Sequence, residues 1–275
     1  MKALVTFACI FIASSTFAQQ DMFWNNYSNY NPAMSGFQFQ QHGAISYSDH
    51  FQRYGRKNIM ANYNVRLADK HGLGINFSGT NFALNQTSTA LNYNYQFDLG
   101  NAGKLSLGAS GAISHTSEND SYGLFDYYDV KPVTSFHLHL GAAYKWKHLT
   151  VGASLRNITQ PEIELDSNLV LRGRRSLTLH AEYDFNIGKQ FKLTPRVIYS
   201  SFNGPTPLSA DLTLTYKNKY SFGVMRNFDG TLGLHVGYDI NEKFRIAYSF
   251  NPDLNTFDSH NTTIVRHQFT LGFKL

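Results

Sequence analysis

The sequence predicts an all-β membrane protein, a transmembrane, antiparallel, up-and-down β-barrel of about fourteen strands. Three observations predict it. Segments of roughly ten residues alternate apolar and polar side chains from Gly43 to the C-terminus. Tight and long connections between these segments take turns, and aromatic residues gather beside the tight ones.

The chain opens with Lys2, an apolar run from Ala3 to Ile12, and the small-residue exit Thr16-Phe17-Ala18. That pattern is a secretory signal peptide over residues 1–18, cleaved after Ala18. The run is too short to span a bilayer as a helix, which takes about 20 residues. The only cysteine, Cys9, lies inside it, so the exported chain carries no disulfide. Closing a sheet on itself is another way to hold such a chain together, because it removes the sheet edges. Residues 19–42 are not strand-like. They form an aromatic and asparagine-rich lead-in, suited to plug a lumen, dock a partner or pack at a rim.

Residues 43–275 carry the barrel pattern. Ile59, Ala61, Tyr63, Val65 and Leu67 share one face, against Met60, Asn62, Asn64 and Arg66 on the other. Thr89, Leu91, Tyr93, Tyr95 and Phe97 repeat the alternation, as do Phe136 to Trp146, Leu177 to Phe185, and Leu208 to Tyr216. Strands are expected to begin near residues 43, 58, 73, 87, 104, 135, 149, 176, 191, 208, 220, 231, 244 and 264. Every second connection is tight, at 69–71, 100–103, 147–148, 188–190, 217–219 and 241–243. Longer ones span 117–134, 157–175, 201–207 and 251–263. Outer-membrane barrels have short turns at one rim and long loops at the other. An even strand count then places both termini at the short-turn rim, the periplasmic side, in a multi-pass protein of a bacterial outer membrane.

Tyr95, Phe97, Trp146, Tyr183, Phe185, Tyr216, Tyr220, Tyr238 and Phe244 lie beside tight turns on the apolar face, where a headgroup-level girdle belongs. Arg66, Lys145, Arg156, Glu182, Asp184, Arg196, Asp211, Asp239 and Arg245 fall on the other face. Each Arg or Lys would cost about 2–4 kcal/mol at mid-membrane facing lipid, so these side chains belong in a wet lumen. Their mixed signs suggest internal ion pairs more than a selective pore. The final strand alternates Phe269, Leu271, Phe273 and Leu275, and resembles the C-terminal signal read by barrel-assembly machinery. The net charge of +5 is scattered, which excludes a nucleic-acid footprint. Lipid of the outer membrane is the expected solvent of the apolar face.

Before the first strand the chain reads Trp24-Asn25-Asn26-Tyr27-Ser28-Asn29-Tyr30-Asn31-Pro32-Ala33-Met34-Ser35-Gly36. Further on come Val151 to Arg156 followed by Asn157-Ile158 and Gln160-Pro161, then Arg174-Arg175 before Leu177, and Arg266-His267-Gln268-Phe269 near the end. In order and spacing these segments resemble the PorP/SprF family, outer-membrane proteins of the type IX secretion system of Bacteroidetes. The resemblance covers the mature chain. It implies a non-catalytic barrel that helps export, or attach to the cell surface, a large secreted adhesin, with components of the secretion machinery as further partners. A passive porin or small-molecule uptake channel is the alternative.

Little in the sequence points to chemistry. His137 and His139 share the inward face, but no cysteine or carboxylate stands at a spacing that would complete a metal site, so no metal or cofactor is expected. GxSxG, phosphate-loop and dinucleotide patterns are missing, and no catalytic residue is assigned. The candidate partner-binding residues fall in three places. Trp24, Tyr30, Asn31, Pro32 and Gly36 lie in the lead-in, Tyr127 and Tyr128 in an acidic, aromatic loop that also suits calcium, and Arg172, Arg174 and Arg175 in a basic one.

Overall fold

The computed structural model describes residues 22–51, 55–82, 84–119, 131–166, 169–201, 207–228, 230–241, 243–257 and 263–275. The expected signal peptide, residues 1–18, and the loop residues Tyr127 and Tyr128 lie outside them. The strands are β1 (Gln41–Asp49), β2 (Lys57–Leu67), β3 (His71–Asn81), β4 (Leu84–Asp98), β5 (Lys104–Glu118), β6 (Val133–Trp146) and β7 (Leu149–Arg156). They continue with β8 (Glu162–Asp166), β9 (Leu169–Arg172), β10 (Ser176–Tyr183), β11 (Phe185–Ile187), β12 (Phe191–Ser200) and β13 (Leu208–Tyr216). Last come β14 (Tyr220–Arg226), β15 (Leu232–Ile240), β16 (Phe244–Phe257) and β17 (Thr263–Lys274).

Each wall strand pairs antiparallel with its neighbours, and β1 pairs with β17 to close the sheet. In that seam Ile45 stands opposite Leu271 and Tyr47 opposite Phe269. The Gln41 N–H donates to the Leu275 carbonyl at 3.0 Å, and the Leu275 N–H returns the bond at 2.8 Å. β10 and β11 are two parts of one wall strand, interrupted at Asp184, and both pair with β12. The hairpin β8–β9 stands apart from the wall. The wall therefore has fourteen strands and no free edge, which answers the edge problem that an open sheet would face in lipid.

The strand starts agree closely with the sequence, and two connections differ. The 157–175 segment holds the β8–β9 hairpin, and the 251–263 segment is mostly strand, with β16 running to Phe257 past an irregular register at Asp253. Both lie at the long-loop rim. Strand ends beyond the membrane need not alternate apolar with polar, so the period-two signal fades there.

Pleating sends successive side chains to opposite faces. Leu91, Tyr93, Leu138, Leu140, Phe222, Leu234 and Leu271 are exposed on the outside, while Asn62, Asn64, Asn92, Asn94, Ser110, His139 and Gln268 are buried inside. Apolar outside and polar inside is the reverse of a soluble core and fits a lipid solvent. The girdle is continuous enough for its rings to touch: Tyr95 with Phe97, Tyr183 with Phe185, Phe191 with Tyr216, and Tyr220 with Tyr238.

Candidate functional site

What fills the barrel is its own N-terminal segment. Residues 22–40 run inside the wall as a 3-10 turn over Phe23–Asn26, a helical turn over Tyr27–Tyr30 and a second 3-10 turn over Pro32–Met34. Phe23, Tyr27, Tyr30, Ala33, Met34 and Phe37 are buried together with Ala143, Ile198 and Phe228 of the barrel. Met22 packs separately on Met225 and Ala247.

Local sequence dictates the tight turn. Asn31 caps it: its Oδ1 accepts the Ala33 N–H at 3.0 Å, and Pro32 follows with its φ already helical. Gly36 ends it at φ +65, and a Cβ there would come within 2.7 Å of the Val65 carbonyl, so both conformation and space require glycine. Asn31 is fully buried; its Nδ2 donates to the Ala142 carbonyl at 2.9 Å and meets His180 Nε2 at 3.2 Å.

Such short turns leave many of the segment's carbonyls without a backbone partner inside the segment, and burial makes each of these expensive. The wall strands β2 to β7 supply the donors. Asn62 Nδ2 reaches the Asn25 carbonyl at 3.3 Å, and Asn76 and Asn92 reach that of Ser28 at 2.9 and 3.2 Å. Ser154 Oγ donates to Tyr30 at 2.6 Å, Ser106 Oγ to Ala33 at 2.7 Å, and Gln96 Nε2 to Gly36 at 3.2 Å. Asn94 Nδ2 serves two carbonyls, Pro32 at 3.3 Å and Ser35 at 2.5 Å.

The same wall clears space with glycine. A Cβ on Gly72 would lie 2.0 Å from the Ser35 carbonyl oxygen, and one on Gly141 would lie 2.0 Å from Asn31 Oδ1. Gly74, Gly108 and Gly152 face Ser35, Ala33 and Asn31 at similarly short range. A cavity of about 50 Å³ remains beside the segment, lined by Ser28, Asn29, Tyr30, Ser110, His139 and Arg156.

The opposite wall, β10 to β16, meets the plug with charge. Arg196 bridges Glu182 (3.2 Å) and Asp211 (2.8 Å), and Asp211 also holds His235 at 2.7 Å. The guanidinium lies 4.8 Å from the centre of the Trp24 ring, which also packs on His235. Tyr27 stacks on His180, and its hydroxyl donates to Glu182 at 3.1 Å. Gln38 donates to the same carboxylate. Arg245 pairs with Asp239 at 3.1 Å, and Lys192 with Asp184 at 3.5 Å. Mixed charge in the lumen thus forms ion pairs, as the sequence suggested.

The structure brings Trp24, Tyr30, Asn31, Pro32 and Gly36 together inside the barrel, where the wall takes up their contacts. Arg172 ends β9 at the far rim. Arg174 and Arg175 are exposed near it, the first accepting Asn157 Nδ2 on its carbonyl at 3.3 Å and the second donating to the Ile158 carbonyl at 3.4 Å. His137 and His139 are 6.4 Å apart between ring centres. His137 Nε2 meets Ser135 Oγ at 2.9 Å, and His139 Nδ1 accepts the Asn157 N–H at 3.0 Å. Sequence reasoning missed the seat itself. Its signal was present: inward positions of β2 to β5 are rich in Asn, Ser and Gly, residues small enough to admit a backbone or able to donate to it.

A closed sheet, apolar outside and polar inside, with the chain's own N-terminal segment packed in the lumen defines a plugged outer-membrane β-barrel. The chain belongs to the PorP/SprF family of type IX secretion system membrane proteins, whose family model matches residues 12–273. Among solved structures it is similar to the toluene transporter TbuX of Ralstonia pickettii, at 11% identity and TM-score 0.51, over 89% of this chain and 92% of that one. The toluene transporter TodX of Pseudomonas putida is similar at 13% identity and TM-score 0.51, over 90% and 92%. So is the monoaromatic hydrocarbon channel CymD, at 12% identity and TM-score 0.51, over 90% and 92%. At such identity these likenesses establish the barrel fold alone. No curated protein matches the sequence.

Proposed function

We propose that this protein is a non-enzymatic, plugged barrel of type IX secretion that helps export a large partner adhesin or hold it at the cell surface, with both termini and the tight turns in the periplasm. One observation carries the reading against a passive porin. The lumen is occupied by a segment whose buried carbonyls are matched, one after another, by donors of the wall. A water-filled pore has no use for such a seat. Family membership supports the secretion role, and the exposed Arg174 and Arg175, at the rim opposite the tight turns, offer surface for a partner.

Affinity purification of a tagged copy from its native outer membrane, with mass spectrometry of what stays bound, tests the proposal. One very large secreted protein or type IX components are expected. Recovery of the barrel alone under gentle detergent and crosslinking would overturn the secretion role. Steady, large single-channel conductance of the wild type in planar bilayers would establish the porin instead.

A further inference from the structure

Beneath the plug, at the tight-turn rim, the lumen opens into a vestibule of about 480 Å³. Its roof is the plug itself, through Trp24, Asn25, Tyr27, Gln38 and Phe39. Its walls are strongly basic: seven Lys and Arg side chains face three carboxylates, Glu182, Asp184 and Asp239, with His42 and His148 beside them. Arg196, Lys192, Arg245 and Lys274 are engaged with those carboxylates. Lys145, Lys147 and Lys243 form no ion pair among the described residues, and Lys147 instead lies over the Trp146 ring. Lys145 comes from β6, while Lys147 and Lys243 come from the β6–β7 and β15–β16 turns and stand at the rim of the mouth on two sides.

We propose that this vestibule is the docking socket for an acidic segment of a periplasmic protein, one that also carries an aromatic or apolar side chain. The excess positive charge, focused by a low-dielectric wall, selects an anionic ligand. The aromatic roof, Trp24, Tyr27 and Phe39, offers a contact that a bare inorganic anion leaves unused. Lipid headgroups are kept out by geometry, because the strand wall with its outward girdle of Trp146, Tyr183 and Phe185 stands between the bilayer and the vestibule. The socket touches the plug directly, so its occupant would contact the segment that closes the barrel. The proposal rests on the periplasmic orientation of the tight-turn rim given under the proposed function.

The full-length mature protein, in nanodiscs and carrying Trp146→Phe, has Trp24 as its sole tryptophan. It is titrated with a short synthetic peptide of alternating acidic residues and Phe, and with the Lys/Phe counterpart. Trp24 emission is expected to shift with the acidic peptide and not with the basic one, and the affinity to fall as salt is raised. The triple variant Lys145→Glu, Lys147→Glu, Lys243→Glu should weaken binding about tenfold or more. The variant Lys70→Glu, Lys104→Glu, Lys219→Glu changes net charge equally outside the socket and should bind as the parent does. Equal weakening in both variants, or equal response to both peptides, would overturn the proposal. So would displacement of the peptide by inorganic phosphate at constant ionic strength, which would make this a small-anion site. Orientation is read separately. Lys243→Cys, in a mature chain without other cysteine, should react with a membrane-impermeant maleimide only after the outer membrane is permeabilised. Labelling in intact cells would remove the periplasmic partner and the proposed orientation, while binding in nanodiscs would stand.

Discussion

The two walls of the lumen hold one plug by opposite means. On the β2 to β7 side the contacts to the plug backbone are made by neutral groups: Asn and Ser side chains donate to its carbonyls, and glycines let the backbone approach. On the β10 to β16 side the wall is charged, and it meets side chains rather than backbone, through the Trp24 ring and the Tyr27 hydroxyl. The difference teaches what each wall specifies. Neutral donors fix where the irregular backbone runs, because an unmatched buried carbonyl costs about 1–3 kcal/mol whatever the side chain. Ion pairs are demanding of each other but indifferent to the backbone, so the charged wall orients two aromatic residues and leaves room for the vestibule.

Removing the plug is the strongest way to break the comparison. Deleting residues 22–36 is expected to turn a barrel of little conductance into one with a steady open state in planar bilayers. An equally tight deletion variant would mean that the wall closes the lumen unaided.

Next in size is Arg196→Ala. It takes the cation from the buried Asp211, which keeps only Thr213 and His235, and from the half-buried Glu182, and a loss of about 3–5 kcal/mol is expected from denaturant unfolding in detergent micelles. A loss below about 1 kcal/mol would show that water screens the charged wall as it does a surface pair.

A matched pair of glycines sharpens the contrast between inside and outside. Gly141→Val drives a side chain into Asn31, whereas Gly111→Val points outward, with the nearest atom of Phe136 at 3.5 Å. Chymotrypsin should cut at the plug aromatics only in the Gly141 variant. Equal resistance would argue that the seat is looser than its distances imply.

Smallest is Asn94→Ala, which strips donors from the Pro32 and Ser35 carbonyls and should destabilise by about 1–3 kcal/mol. Unchanged stability would mean that water replaces the amide.

Much of this barrel was legible in the chain. Tyr63 and Leu91 outward with Asn62 and Asn92 inward follow from a period of two, and the turns at 147–148 and 217–219 follow from where that period stops. Asn31-Pro32 and Gly36 also announce a capped turn without any tertiary information, since cap, fixed φ and positive φ are local properties. Asn62, Asn76, Asn92 and Asn94 were visible as inward polar residues, but not as a set. They lie on three strands and meet only where the segment before β1 folds back among them.

The sequence by itself determined the wall: strand positions, the lipid-facing side, the girdle and a lead-in unlike the rest. Each depends on residues near one another in the chain. Only the tertiary structure decided that the lead-in enters the lumen, that inward glycines and asparagines are its seat, and that lysines from β6 and from two separate turns share one vestibule. Those facts depend on closure. Curling fourteen strands into a barrel brings residues together whose separation in the chain carries no periodic signal, so no pattern in the sequence records their meeting.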